Sequence, residues 1–160
     1  MPGLSDIKGE MHIVVFTIDE QQFALPLTNV TRIVNAVEIR YLPMAPEVIS
    51  GIINFQGQIL PVIDIRKKLG LPGKETALDD RLIIAHTDKR PVAIVADTVP
   101  ELRSISPSQQ VWSQEAMQLA QYLQGVVRTD DGLILIYDLD KFLDLDEELA
   151  LENALKHQKK

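Results

Sequence analysis

The chain has 160 residues, 46% of them hydrophobic but only 5% aromatic, enough for one aliphatic core of ordinary domain size. It contains no cysteine, which excludes disulfides, cysteine-based zinc sites and thiol nucleophiles. The net charge is −7, with eight acids against seven bases up to residue 75 and fifteen against nine beyond it, a balance that argues against a nucleic-acid partner.

Residues 1–10 read as a polar lead-in with no apolar segment of a secretory signal, and no stretch approaches membrane-spanning length, so a cytoplasmic protein without membrane insertion is expected. Residues 12–18 (HIVVFTI) predict a strand, 19–22 a turn, and 23–27 (FALPL) a returning strand whose Pro26 calls for an edge or a bulge. A linking stretch, 29–50, follows. Residues 51–63 predict a hairpin turning at Asn54-Phe55-Gln56-Gly57. Asp64 is a helix N-cap, Gly70 closes the short turn that follows, and Pro72 stops it. Residues 82–85 and 92–96 predict a second strand–turn–strand, with Asp79-Asp80 in a solvated loop before it. A second link, 97–124, holds Trp112, read either as a partner anchor or as a plug over a barrel, and a helical pattern at 113–122. A Gly-led hairpin follows from Gly125, turning at Thr129-Asp130-Asp131-Gly132. Asp144-x-x-Glu147 has the form of a capping box opening a C-terminal helix, with Lys156, His157, Lys159 and Lys160 at its negative pole.

The two Gly-led hairpins are one pattern written twice, 74 positions apart. Setting Gly51 on Gly125 aligns Ile52 and Ile53 with Val126 and Val127, and Ile59, Leu60 and Val62 with Leu133, Ile134 and Ile136. Asp64 falls on Asp138, Lys67 on Lys141, and Leu69 on Leu143. A looser echo at an offset of 69 sets Ala24-Leu25 on Ala93-Ile94. Each half thus carries a plain hairpin, a link, a Gly-led hairpin and a capped turn. That organisation predicts a mainly β protein of two small barrels sharing an apolar face, since neither half is comfortable alone.

Chemistry-bearing patterns are sparse. His12, His86 and His157 lack the spacing of a metal site, no nucleophile elbow or phosphate loop is visible, and no cofactor is expected. The acidic run from Asp138 to Glu148 misses the calcium-loop template, because Leu143 stands where glycine is needed; capping and a solvated helix face account for it. A small β-barrel enzyme would need an acid/base or nucleophile set that the sequence does not display.

The segments VVFTIDEQQFALPLTNV, YLPMAPEVISGIINFQGQILPVIDIRKKLGL, AIVADTV, YLQGVV and LILIYDLDKFL, in this order across residues 12–145, resemble the CheW family of chemotaxis coupling proteins. The resemblance implies two five-stranded SH3-like β-barrels packed across a hydrophobic core, with short helices and a C-terminal helix. As domains it implies a tail at 1–10, a single CheW-like domain of two intertwined lobes at 11–145, and a helix or tail at 146–160. It implies a non-catalytic adaptor that links the regulatory domain of a CheA-type histidine kinase, mainly through the first barrel, to the cytoplasmic tip of a chemoreceptor held between the barrels. The protein would then be recruited to membrane-associated receptor arrays. Carried over residue by residue, the receptor side comprises Val30, Arg32, Gly51, Asn54 and Gln56, with Val30 and Arg32 on one face of a strand by its period of two. Val30 is alternatively a core residue, and Gly51 alternatively supplies only a backbone conformation. Family members commonly have Glu at the place of Arg32 and Arg at the place of Gln56. These departures leave room for a divergent adaptor of another chemosensory pathway, such as pilus motility, or a kinase-sequestering competitor.

Overall fold

The computed structural model describes residues 11–73, 80–98, 101–106, 109, 120–130 and 132–158. Trp112, the lead-in at 1–10 and most of the helical pattern at 113–122 lie outside them; the described end of that pattern, Ala120–Tyr122, is a 3-10 turn. The strands are β1 (Met11–Ile18), β2 (Gln21–Pro26), β3 (Val30–Asn35), β4 (Ile49–Phe55), β5 (Gln58–Ile63), β6 (Arg81–His86), β7 (Pro91–Ala96), β8 (Glu101–Ile105), β9 (Leu123–Thr129) and β10 (Gly132–Tyr137). Among the described residues there are two α-helices, α1 (Ile65–Leu69) and α2 (Leu145–Gln158).

The strands form two five-stranded sheets, ordered β8-β1-β2-β10-β9 and β3-β6-β7-β5-β4. Each sheet is one barrel-like lobe, called here the first and second in that order. Each takes one plain hairpin and one Gly-led hairpin, but from opposite halves of the sequence. The joins are the two parallel pairings, β10 with β2 and β5 with β7. Reading the chain half by half therefore identifies the right parts and the wrong partners.

Period-two alternation divides each strand between two cores. In the first lobe Ile13, Val15, Ala24, Val127, Ile134 and Ile136 point into the lobe's own interior. In the second, Ile53, Leu60, Val62, Leu82, Ile84 and Ala93 do the same. The alternate positions of both lobes, among them Phe16, Phe23, Leu25, Ile63, Ile83, Ile94 and Tyr137, meet in one shared cluster. Strands buried on both faces have no polar face to show, so they read as continuous apolar runs. Each fully buried Ile, Leu or Phe contributes about 1.5–3 kcal/mol, so the shared cluster is the main bond between the lobes.

The edge strands explain what the sequence concealed. β3 and β8 lie inside the two linking stretches; as edges they are largely exposed and lack an apolar run. Pro26 belongs to no edge or bulge. It ends the central strand β2, facing Ile13 of β1, beyond the point where β10 stops pairing, so no ladder donor is missed there. Asp80 also departs from expectation: it is buried directly before β6, where its carbonyl accepts the Ala36 N–H at 3.1 Å. Asp79 lies outside the described residues.

Candidate functional site

All five residues carried over from the family resemblance lie on the second lobe. Its sheet ends in β3 on one side and β4 on the other. The chain leaving β3 curls back and bridges to β4, Arg40 N–H donating to the Ile52 carbonyl and Ile52 N–H to the Arg40 carbonyl, both at 2.8 Å. This bridge closes the lobe. Gly51 permits it: a Cβ there would overlap the Arg40 carbonyl oxygen and lie 2.7 Å from Ile39 Cγ2. Gly51 is buried and presents no side chain, so its part is close backbone approach.

Val30 and Arg32 do not share a face. β3 pairs Val30 with Ala85 and Arg32 with Ile84, so Thr31 is an extra, bulged residue. A bulge reverses the alternation that period two assumes. Val30 packs against the shared core. Arg32 is exposed, and its side chain forms no ion pair or hydrogen bond among the described residues. Val30 thus belongs to the packing, and Arg32 to the surface.

Asn54 and Gln56 are exposed at the β4–β5 tip. Gln56 and Gly57 both have positive φ, 53° and 85°, the signature of a two-residue type I′ turn. The Asn54 side chain accepts the Gly57 N–H at 2.9 Å and locks that turn. Gln56 is thereby held outward on a rigid tip. Among the described residues, no hydrogen bond or ion pair joins any two of the five.

The exposed apolar surface was not anticipated. Between residues 27 and 44 five large apolar side chains face solvent: Leu27, Ile33, Val37, Tyr41 at 79% exposure and Met44 at 65%. Met44 also has a positive φ of 71°. A Tyr and a Met flanking Leu42-Pro43 in a loop is the sequence signal that marked them. Ile59, Leu102, Leu145 and Leu149 are exposed as well, but no other stretch of the described chain holds as many such side chains as residues 27–44.

Buried charge is concentrated at Arg66 of α1. Asp64 caps that helix, accepting the Arg66 N–H at 3.0 Å, and Gly70 ends it in a left-handed conformation at φ 72°. The Arg66 guanidinium donates to Asp19 at 2.8 Å, Asp97 at 2.7 Å and the Pro72 carbonyl at 3.0 Å. Burial alone would lower its pKa. The hydrogen bond to Asp19 and the charges of Asp97, Asp19 and Asp64 hold it above the ordinary arginine value. Tyr137 shows the opposite economy: its hydroxyl is buried without a partner among the described residues, and burial pushes its pKa up.

The acidic run serves the C-terminal helix. Asp144 and Glu147 form the expected capping box, Asp144 accepting the Glu147 N–H at 2.8 Å and Glu147 the Asp144 N–H at 3.0 Å. Glu147 also pairs with Lys68 at 2.6 Å, and Glu148 with Arg90. Two of the three histidines have local partners: His12 meets Ser104 across β1 and β8 at 2.8 Å, and His157 meets the Asn153 carbonyl at 2.8 Å. Among the described residues no group of His, Asp and Glu is placed to hold a metal ion, and no helix is long and apolar enough to cross a membrane.

Comparison with known proteins agrees with this architecture. The CheW-like domain family matches residues 12–147. The chemotaxis protein CheW of Thermotoga maritima is 28% identical over 97% of this chain and all of its own, and that of Bacillus subtilis 27% identical over 88% and 91%. The scaffolding protein TtCheW of Thermoanaerobacter tengcongensis has a crystal structure that superposes with a TM-score of 0.74 at 30% identity, covering 85% of this chain and 89% of its own. Protein FrzA of Myxococcus xanthus is 29% identical over 61% of each chain. With its two-lobed β fold and a family match across residues 12–147, the chain belongs to the CheW-like domain family and is a non-catalytic chemotaxis scaffold.

Proposed function

We propose that this scaffold couples the regulatory domain of a CheA-type histidine kinase to the cytoplasmic tip of a chemoreceptor. The first lobe takes the kinase, and the groove between the lobes takes the receptor helix tip. The observation that carries this reading is the set of exposed apolar side chains between Leu27 and Met44, a segment of the same lobe as Arg32 and the rigid Gln56 tip. Aliphatic side chains supply affinity at such a surface, and polar turns set register. Val30 and Gly51 support it from beneath; Arg32, Asn54 and Gln56 contact the partner. The protein then works in the cytoplasm, recruited to receptor arrays.

Arg32 and Gln56 favour a second reading, a divergent adaptor or a kinase-sequestering competitor. Where the family commonly offers an acid and a guanidinium, this chain offers a guanidinium and an amide, and glutamine cannot make arginine's bidentate carboxylate contact. A pull-down from native lysate with the tagged protein, beside an Arg32→Glu/Gln56→Arg variant, separates the two. Kinase together with chemoreceptors, with a changed receptor set in the variant, supports the adaptor and places specificity at these residues. Kinase without receptors favours sequestration. Recovery of neither overturns the proposal.

A further inference from the structure

The two lobes touch through polar contacts as well as through the shared core, and those contacts are unequal. The β1–β2 turn of the first lobe is gripped by the second. Arg66 holds the Asp19 carboxylate at 2.8 Å, and Asp97 accepts the Asp19 N–H at 2.9 Å. The Asp97 N–H donates to the Thr17 carbonyl at 3.0 Å. Asp19 and Glu20 both have positive φ, 52° and 68°, although neither is glycine. Such a turn is strained by itself and persists because its surroundings fix it.

The internal repeat generates a counterpart. An offset of 69 carries Asp19 to Asp88, and one of 74 carries Arg66 to Asp140. Here the β6–β7 turn of the second lobe meets the capped turn and following helix of the first: the Asp88 N–H donates to the Asp140 carboxylate at 2.7 Å, at the surface, and Arg90 pairs with Glu148 of α2. One side of the pseudo-twofold is a buried arginine bound to three segments; at the equivalent position on the other stands Asp140, which accepts one exposed hydrogen bond, with the Arg90–Glu148 pair from α2 beside it.

We propose that Arg66 is the positioning residue of the interlobe groove. By joining the Asp19 turn of one lobe to Asp97 and Pro72 of the other, it fixes the angle between the lobes, and the Asp140 side follows. The importance of that angle for partner binding rests on the groove reading above, whereas the angle itself is measurable without any partner. The chain has no cysteine, so labels are introduced cleanly, one on each lobe, at the exposed positions Arg128 and Gln58. Double electron–electron resonance on this Arg128→Cys/Gln58→Cys protein reads the interlobe distance, and hydrogen exchange reads the turn. In Arg66→Met the distance distribution should broaden and the Asp19 and Asp97 amides should exchange at least about tenfold faster, while strand amides of both lobe interiors speed up only by what the loss of global stability accounts for. Arg66→Lys, which keeps the charge but not the fork, should fall between. Asp140→Asn should leave the distribution narrow. A folded Arg66→Met protein with unaltered distances and unaltered Asp19 exchange overturns the proposal. If Arg66→Met does not fold, Asp19→Asn decides: its side chain is 40% exposed and its loss is tolerable, so broadening supports the latch and an unchanged distribution refutes it.

Discussion

Gly70 and Asp144 occupy the same place in two copies of one unit, and their difference sets the two halves of the molecule apart. Up to that point the copies agree closely. β4 and β9, and β5 and β10, begin and end at residues 74 apart, and β4 and β9 share one burial pattern. Each pair breaks register at its far end, between Ile49 and Gly51 in one and between Ile136 and Tyr137 in the other. Asp64 and Asp138 cap alike. Then Gly70 turns left-handed and stops α1, whereas Asp144 caps α2, which emerges from the first lobe and lays Glu147 and Glu148 against Lys68 and Arg90 of the second. The backbone of a duplicated unit is set by apolar spacing and capping, which both copies keep. Its surroundings are set by a few charged positions, which they do not.

Substitutions test how far that division holds. The largest effects belong to the arginine that only one copy has and to the glycine at the Arg40 bridge. Arg66→Met should lower stability by about 3 kcal/mol, because it leaves Asp19 and Asp97 without their cation, while Asp140→Asn at the equivalent place should cost under about 1 kcal/mol; urea denaturation reads both. Gly51→Ala should cost about 3 kcal/mol by forcing a Cβ onto the Arg40 carbonyl, with loss of protection at the Arg40 and Ile52 amides in hydrogen exchange. Asp144→Ala should cost about 1 kcal/mol and fray α2 in circular dichroism.

Smaller effects should be stabilising. Tyr137 stands where the first copy has Ile63. Tyr137→Phe removes a buried hydroxyl that has no partner among the described residues and should add about 1 kcal/mol at pH 7. The unfolded tyrosine ionises near pH 10, the buried one higher, so above about pH 10 the unfolded state has shed a proton that the folded state keeps. Stability of the parent should therefore fall as pH rises through that range, and the Phe variant should lose Tyr137's share of the slope. Gln56→Asn, which gives the preferred Asn-Gly turn, should add about 0.5 kcal/mol in a thermal melt; a loss would mean that the Gln56 side chain is engaged at the tip.

Sequence patterns revealed the repeat, both caps, the capping box and both hairpin turns because each is a local device with a local signature. They did not reveal that β2 finds β10 and β7 finds β5, since parallel partners from distant segments leave no mark on spacing. Nor did they reveal the Thr31 bulge, which parts Val30 from Arg32: one extra residue in an exposed edge strand alters no apolar run. At the site, Asn54 and Gln56 were legible as a turn. Tyr41, Met44 and Arg66 were not, because exposure and ion pairing depend on what the rest of the chain brings near.

The crossed pairing also orders events in time. All five strands of the second lobe lie between Val30 and Ala96, so that whole sheet leaves the ribosome before β8, β9 and β10 do. β1 and β2 are synthesised first, yet their sheet stays incomplete until β10, the last strand in the chain, emerges to pair with β2. Domains generally fold amino-terminal part first as they are made. Here the beginning of the chain must wait for its end, with the buried sides of a two-stranded hairpin uncovered in the meantime.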